Sequence, residues 1–211
     1  MWAMAGPRSY LLDVTAALVE HRARMNAALE ALDVREPELA QAAGLLLETL
    51  RQGNKILVAG NGAGAAGAQH FSAALMGRFL HDRDPYAALA LTTDGSNLTG
   101  VGNDYAFDDI FARQVAGLGR PGDLLLAYST SGESENLIRA ADVANDLGMR
   151  VVAITGPTDS RLGRMGDVSI QVQAHSPPVI QEIQMAITHL LCAIVEQEMS
   201  GAHVNSSSSP N

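Results

Sequence analysis

Five short apolar runs alternate with longer amphipathic stretches along this 211-residue chain. The runs have the length and composition of buried strands and cover residues 55–59, 87–91, 123–128, 150–155 and 167–172. Helical periodicity separates or follows them, at residues 65–80, 107–118, 134–147 and 178–199. This alternation implies right-handed crossovers, so the sequence predicts an α/β fold in which helices flank a five-stranded parallel sheet on both faces.

Two further helices are predicted before the first strand, from Tyr10 to about Leu32 and from Pro37 to Gln52. A pair of helices outside the sheet layers often builds an oligomer interface. The sequence predicts one domain over residues 8–200, with the helical pair at 8–53 and the α/β core at 54–200. The Ser-rich segment 201–211 is expected to be disordered.

Composition restricts the classes of partner. The net charge is −9 and Lys55 is the single lysine, so direct binding of nucleic-acid phosphates is not expected, while protein partners stay open. Cys192 is the single cysteine, which excludes an intrachain disulfide, and its apolar neighbours predict a buried side chain. The chain shows no uninterrupted apolar run of about 18 residues and no signal-peptide pattern, so we expect a cytoplasmic protein that does not engage a membrane.

Two turns rich in small residues follow predicted strands. The first, Gly60-Asn61-Gly62-Ala63-Gly64, is weak evidence for a dinucleotide site, because no acidic residue closes the next strand. The second, Ser129–Ser134, combines several hydroxyls and a glycine with the start of a helix, a combination that can cradle phosphate. It contains no lysine, so binding by neutral donors favours a sugar monophosphate over a triphosphate. A helix cap with surplus serines is the alternative interpretation.

Several spaced motifs, taken in order, resemble the phosphoheptose isomerases, which are sugar isomerase (SIS) domain proteins. The motifs are Gly60-Asn61-Gly62, Gln69-His70-Phe71, Gly102-Asn103-Asp104, Ser129-Thr130-Ser131-Gly132 and Ile180-Gln181-Glu182-Ile183. The resemblance covers roughly residues 10–200 and implies a flavodoxin-like three-layer sandwich. The regulators that associate with the DnaA initiator are a similar sister branch.

The resemblance also implies an activity and an assembly. It implies a homotetramer that isomerises a ketose 7-phosphate to the aldose through an enediol, with His189 as the catalytic base or acid. Residues that would bind the phosphate or the sugar are Asn61, Gly62, Asp94, Ser129, Thr130, Ser131, Ser134 and Gln181. His70, Gln181 and His189 match positions that hold zinc in some family members, so zinc is the one cofactor to consider.

The chain departs from the family pattern at positions that carry chemistry. Ala74 stands where the family places a glutamate that is both general base and metal ligand. Gly64, Gly67 and Val179 stand where the family commonly has serine, aspartate and arginine. Glu133 replaces an asparagine of the phosphate loop and is expected to point to solvent. These changes weaken the zinc hypothesis, because two histidines and an amide make a poor ligand set.

Two functions therefore remain open. In the first, the chain is a sugar-phosphate isomerase that acts on a heptose 7-phosphate or a longer sugar and depends on His189. In the second, it is a catalytically silent protein that binds a sugar phosphate and regulates a protein partner. The retained His70, Gln181 and His189 favour the first function, and Ala74, Gly64 and Gly67 favour the second.

Overall fold

The computed structural model describes residues 7–200 as alternating strands and helices. The strands are β1 (Ile56–Gly60), β2 (Ala88–Ala90), β3 (Leu124–Ser129), β4 (Arg150–Thr155) and β5 (Val168–Gln171). The helices are α1 (Pro7–Glu30), α2 (Glu36–Arg51), α3 (Ala63–Met76), α4 (Gly95–Asp104), α5 (Ala112–Leu118), α6 (Glu135–Asp146), α7 (Arg161–Met165) and α8 (Pro177–Ser200). The α/β class, the five strands and the two N-terminal helices are confirmed.

All five strands are parallel, in the order β2-β1-β3-β4-β5. The chain moves outward from β1 to β2 and then continues on the other side of β1, at β3. The strand order reverses between β1 and β3, and ligands of such sheets bind outside the carboxyl ends of the strands at this point. Both turns singled out in the sequence follow these two strands.

Side chains alternate between two cores because successive strand residues point to opposite faces of the sheet. On one face Val58, Leu126 and Tyr128 pack in a cluster with α2, α3 and α8. On the other face Leu57 and Leu125 pack with α5 and α6. Burial on both faces explains why β1 and β3 are apolar along their length.

The structure departs from the predicted elements in two places. Helix α4, which begins after the N-cap Asp94, was not predicted, because its sequence is rich in glycine and polar residues. The prediction of a single helix over 107–118 is wrong, because a 3-10 turn at Phe107–Asp109 precedes the shorter α5. The predicted disordered segment 201–211 lies outside the described residues.

Helix α8 is long and apolar enough to cross a membrane by length and composition, with a mean hydropathy of 1.4 in its most apolar window. Half of that window is buried within the protein. The helix packs against α1, α2 and α3, which is the environment of a core helix.

Candidate active site at the carboxyl ends of β1 and β3

Two serine hydroxyl groups of the loop after β3 accept hydrogen bonds from the backbone of the same loop. The Ser129 hydroxyl accepts the Gly132 N–H at 3.0 Å, and the Ser131 hydroxyl accepts the Glu133 N–H at 3.1 Å. Gly132 has a φ of +67°, and a Cβ there would lie 2.1 Å from the Ser160 hydroxyl oxygen, so only glycine fits. The loop conformation is thus set before any ligand arrives.

Ser134 stands at the N-cap of α6, but its side chain makes no capping hydrogen bond to the helix. Its hydroxyl lies 3.4 Å from that of Ser129. The N–H groups in the first turn of a helix lack intrahelical acceptors, and the helix dipole favours an anion there. The hydroxyls of Ser129 and Ser134 and the start of α6 can therefore hold a phosphate without a positively charged side chain.

Glu133 does not oppose an anion in this loop. Its carboxylate accepts the backbone N–H of Arg161 at 2.9 Å, at the first residue of α7. The side chain is solvent-exposed, as expected from the sequence, and it also caps a helix. Its charge is therefore directed at α7.

The loop after β1 is tied to the same helix. Asn61 and Asn136 exchange two side-chain hydrogen bonds, each 2.9 Å long, and Asn136 is buried at the start of α6. Gly62 has a φ of +55° at the N-cap of α3, so glycine is required at this sharp turn. Sequence reasoning missed Asn136, whose only signal was its place two residues after the serine loop.

A small cleft of about 60 Å³ separates the two loops. Its lining comprises Asn61, Gly64, Tyr128, Ser129, Thr130, Ser134, Gln181 and Gln184. Clefts that enclose a whole ligand usually measure roughly 300–1,000 Å³. The cleft therefore suits one end of a ligand, such as its phosphate, and the remainder must extend beyond it. Of the predicted binding residues, it brings together Asn61, Ser129, Thr130, Ser134 and Gln181.

Tyr128 forms the floor of the cleft from the buried side. Its hydroxyl hydrogen-bonds to that of Thr188 at 2.8 Å, and burial raises the pKa of Tyr128 far above its ordinary value. The tyrosine thus stays neutral at every physiological pH, and it presents no negative charge to a phosphate. Neither Tyr128 nor Gln184 was singled out from the sequence.

Gly62, Asp94 and Ser131, the other three predicted binding residues, do not line the cleft. Asp94 accepts the Asn97 N–H at 3.0 Å and caps α4, and it does not line the cleft. Ser131 is exposed on the outer side of its loop. Their predicted contacts with ligand stay predictions.

His70 on α3 and His189 on α8 meet directly, although 119 residues separate them. Their Nε2 atoms lie 2.9 Å apart, and the rings meet edge to face with centroids 5.0 Å apart. Partial burial, and then the neighbouring His189, lower the pKa of His70. A neutral His70 can donate or accept a proton across this contact.

The residues do not fit a zinc site of the usual kind. Catalytic zinc takes three protein ligands in most enzymes. Within residues 7–200 no group of three or more His, Cys, Asp or Glu side chains surrounds one point. Ala74 is 6% exposed and has no donor atom, and Gln181, eight residues before His189 on α8, lies roughly 12 Å from it at about 1.5 Å per residue. A reaction at this site would therefore use protein groups alone.

A larger concavity, about 520 Å³, lies elsewhere. Gly122, Gly148 and Asp167 line it, and these residues lie one or two positions before β3, β4 and β5. It therefore lies at the amino ends of the strands, opposite the serine loop. Since parallel sheets bind ligands at their carboxyl ends, the smaller cleft is the better candidate.

Known proteins share both the sequence and the fold. A family model described as SIS domain matches residues 20–156. The phosphoheptose isomerase of Thiobacillus denitrificans is 48% identical over 176 residues, which are 82% of this chain and 89% of the relative. That of Rhodospirillum rubrum is 46% identical over 163 residues, 77% of this chain and 87% of the relative.

Solved structures agree. A phosphoheptose isomerase from Francisella tularensis superposes with a TM-score of 0.82 at 40% identity, covering 88% of this chain and 98% of that chain. The enzyme from Neisseria gonorrhoeae gives a TM-score of 0.80 at 38% identity, over 89% of this chain and 99% of the other. The chain therefore belongs to the SIS-domain family, in the branch that contains the phosphoheptose isomerases.

Proposed function

We propose that the protein is an aldose–ketose isomerase acting on a heptose 7-phosphate or a related longer sugar phosphate, through an enediol. The family membership and the names of the relatives support the substrate class. The contact between His70 and His189 is the observation that carries the chemistry, because it gives the proton acceptor His189 a neighbour that can stabilise its protonated form, without the glutamate missing at Ala74.

The geometry of α8 relates the phosphate cleft to the histidines. Gln181 lines the cleft and His189 lies eight residues further along the same helix. At about 1.5 Å per residue, this spacing corresponds to roughly 12 Å. An extended seven-carbon sugar whose phosphate lies in the serine loop has a comparable reach, so its C1 and C2 come near the histidine pair.

The reaction requires one proton to move between C1 and C2 of the sugar. In the proposed mechanism the Ser129 and Ser134 hydroxyls and the start of α6 bind the phosphate. Neutral His189 removes the C1 proton of the ketose, and electrons shift to the C2 oxygen, which takes a proton from solvent and completes the enediol. Protonated His189 then returns a proton to C2 while the C1 hydroxyl releases its own proton to solvent, which replaces the one taken up at the C2 oxygen. His70, hydrogen-bonded to His189, stabilises the transient imidazolium.

We further propose that the protein is a cytoplasmic homotetramer in which another subunit completes the site. Two observations support an interface. The cleft is too small to enclose a sugar phosphate, and large apolar side chains of the N-terminal helix are open to solvent, with Leu11 66% and Leu18 64% exposed. Leu190, next to His189, is exposed as well. An interface there would shield the sugar from water.

The second candidate function is a silent sugar-phosphate sensor that reports to a protein partner. The observation that favours it is Ala74, a methyl group where a carboxylate would take part in catalysis. In a sensor the serine loop would bind ligand as proposed, and the histidine pair would be structural.

Variants of the two histidines distinguish these functions. His189→Asn and His70→Asn should each reduce turnover of sedoheptulose 7-phosphate at least a hundredfold, since a general base or acid contributes about 10²–10⁴-fold. Calorimetric affinity for the sugar phosphate should change less than about threefold, as the serine loop is untouched. Binding by the wild type with no turnover would establish the sensor instead.

A further inference from the structure

A buried acid on α8 lies behind the histidine pair. Glu196 is 1% exposed and follows His189 by seven residues on the same helix. Residues seven apart lie nearly on one face of a helix. Glu196 and His189 therefore both face α3 and the segment that follows it.

The Glu196 carboxylate accepts three consecutive backbone N–H groups. Phe79 donates to Oε1 at 3.0 Å, and Leu80 and His81 donate to Oε2 at 2.7 and 3.0 Å. Burial would raise the pKa of this acid, but the three N–H groups and the charge of Arg83 outweigh burial and lower it. The carboxylate is therefore ionised, and it fixes the backbone of residues 79–81.

Arg83 connects the same carboxylate to the end of α3. Its Nε donates to Glu196 Oε1 at 3.2 Å, while its other nitrogens donate to the carbonyls of Ala74 and Leu75 at 2.7 and 2.8 Å. Those carbonyls belong to the last turn of α3, where no N–H group of the helix itself is placed to donate to them. The ion pair thus joins α8, the segment 79–81 and the helix that carries His70.

The contacts of Glu196 extend through Phe79 to His189, the group proposed to move the proton. The Phe79 ring lies against the His189 ring, with centroids 5.6 Å apart and planes tilted by 31°. His189 is otherwise solvent-exposed, so it is held between Phe79 on one side and His70 on the other. A displaced Phe79 would leave the imidazole free to rotate away from His70.

We propose that Glu196 is a positioning residue of the isomerase: it holds residues 79–81 so that Phe79 packs on His189 and keeps that imidazole directed at His70. The role rests on the proposed function, because it matters only if His189 moves the proton. It assigns a catalytic consequence to a carboxylate that touches no substrate.

A double-mutant cycle tests the proposal kinetically. With sedoheptulose 7-phosphate, Glu196→Gln and Phe79→Ala should each lower kcat by about tenfold, and at most about a hundredfold, because small misplacements of a reacting group have effects of this size. KM should stay within about twofold. Because both residues act through one contact, the double variant should be barely slower than the slower single variant. Multiplicative losses would overturn the proposal.

A measurement that needs no turnover separates this inference from the proposed function. The Phe79 ring current shifts the imidazole proton signals of His189, which are assigned by their loss in His189→Asn. Glu196→Gln should move these signals in the direction that Phe79→Ala does, while the exposed Glu198→Gln on the same helix should leave them in place. Unchanged signals in folded Glu196→Gln would overturn the proposal, whether or not the wild type turns over.

A second variant keeps the proposal testable if the first one is unfolded. If Glu196→Gln does not fold, Glu196→Asp keeps the charge and shortens the side chain by one methylene. It should move the His189 signals in the same direction but by less, with a correspondingly smaller loss of kcat.

Discussion

The side-chain amides of Asn61 and Asn136 donate a hydrogen bond to one another, at 2.9 Å in both directions. This pair links the turn after β1 to the first helical turn after β3, across the point where the strand order reverses. It fixes which face of the Asn61 amide is directed at the cleft. The two loops of the candidate site therefore behave as one rigid unit.

Loss of this pair should weaken substrate binding. Asn136→Ala leaves the Asn61 amide without its buried partner, which costs about 1–3 kcal/mol in stability. KM for the sugar phosphate should rise several-fold, because Asn61 is free to turn. Steady-state kinetics and thermal unfolding measure the two effects; an unchanged KM in the folded variant would show that Asn61 does not contact ligand.

Glu133 should have little effect on phosphate affinity. Its carboxylate caps α7 through the Arg161 N–H, so Glu133→Gln should change the calorimetric dissociation constant of the sugar phosphate by less than about twofold. The same variant should lose at most about 1 kcal/mol of stability, as expected for an exposed cap. If affinity instead rises tenfold or more, the carboxylate faces the anion and does not cap α7.

The single cysteine should report on unfolding. Cys192 is fully buried in α8, and burial raises the pKa of its thiol to about 12. Because the thiolate is the reactive form, iodoacetamide at pH 8 should modify the native protein slowly and the denatured protein at once. Mass spectrometry of alkylated protein across a urea titration measures this. Rapid native labelling would mean that α8 is not packed as described.

Stability should depend on pH through Glu196. A carboxyl whose folded pKa lies below its unfolded value of about 4.3 contributes stability above that value and loses it as the pH falls through the folded pKa. The stability difference between wild type and Glu196→Gln should therefore shrink as the pH falls from 7 towards 3. Urea unfolding at several pH values measures the difference, with Glu198→Gln as the exposed control. A constant difference would argue against an ionised Glu196.

Much of the fold follows from local patterns. Strands β1 and β3 are buried on both faces, so their continuous apolar runs in the sequence are enough to predict two buried strands. Helix α4 was not predicted because Gly95, Ser96 and Asn97 favour turns. The helix is stabilised by its Asp94 cap and by packing, and the packing cannot be read from the sequence.

The candidate site was predictable only in part. The serine loop is one continuous segment, so its hydroxyls and helix start are visible in the sequence. The contact of His70 with His189 depends on how α3 packs on α8, which spacing along the chain does not specify. Glu196 had one signal, an acid within the apolar periodicity of a core helix, and such an acid requires buried partners. Its partners lie 113 to 117 residues away.

Proton NMR of the purified protein with sedoheptulose 7-phosphate in deuterated water tests the central claim most directly. The sample is run with and without a chelator, because the proposed chemistry uses protein groups alone. We expect deuterium to enter C1 of the ketose and C2 of the product, an aldose anomeric signal to grow, and both rates to survive chelation and vanish in His189→Asn. Broadened sugar signals without deuterium or product would contradict the isomerase and support the sensor.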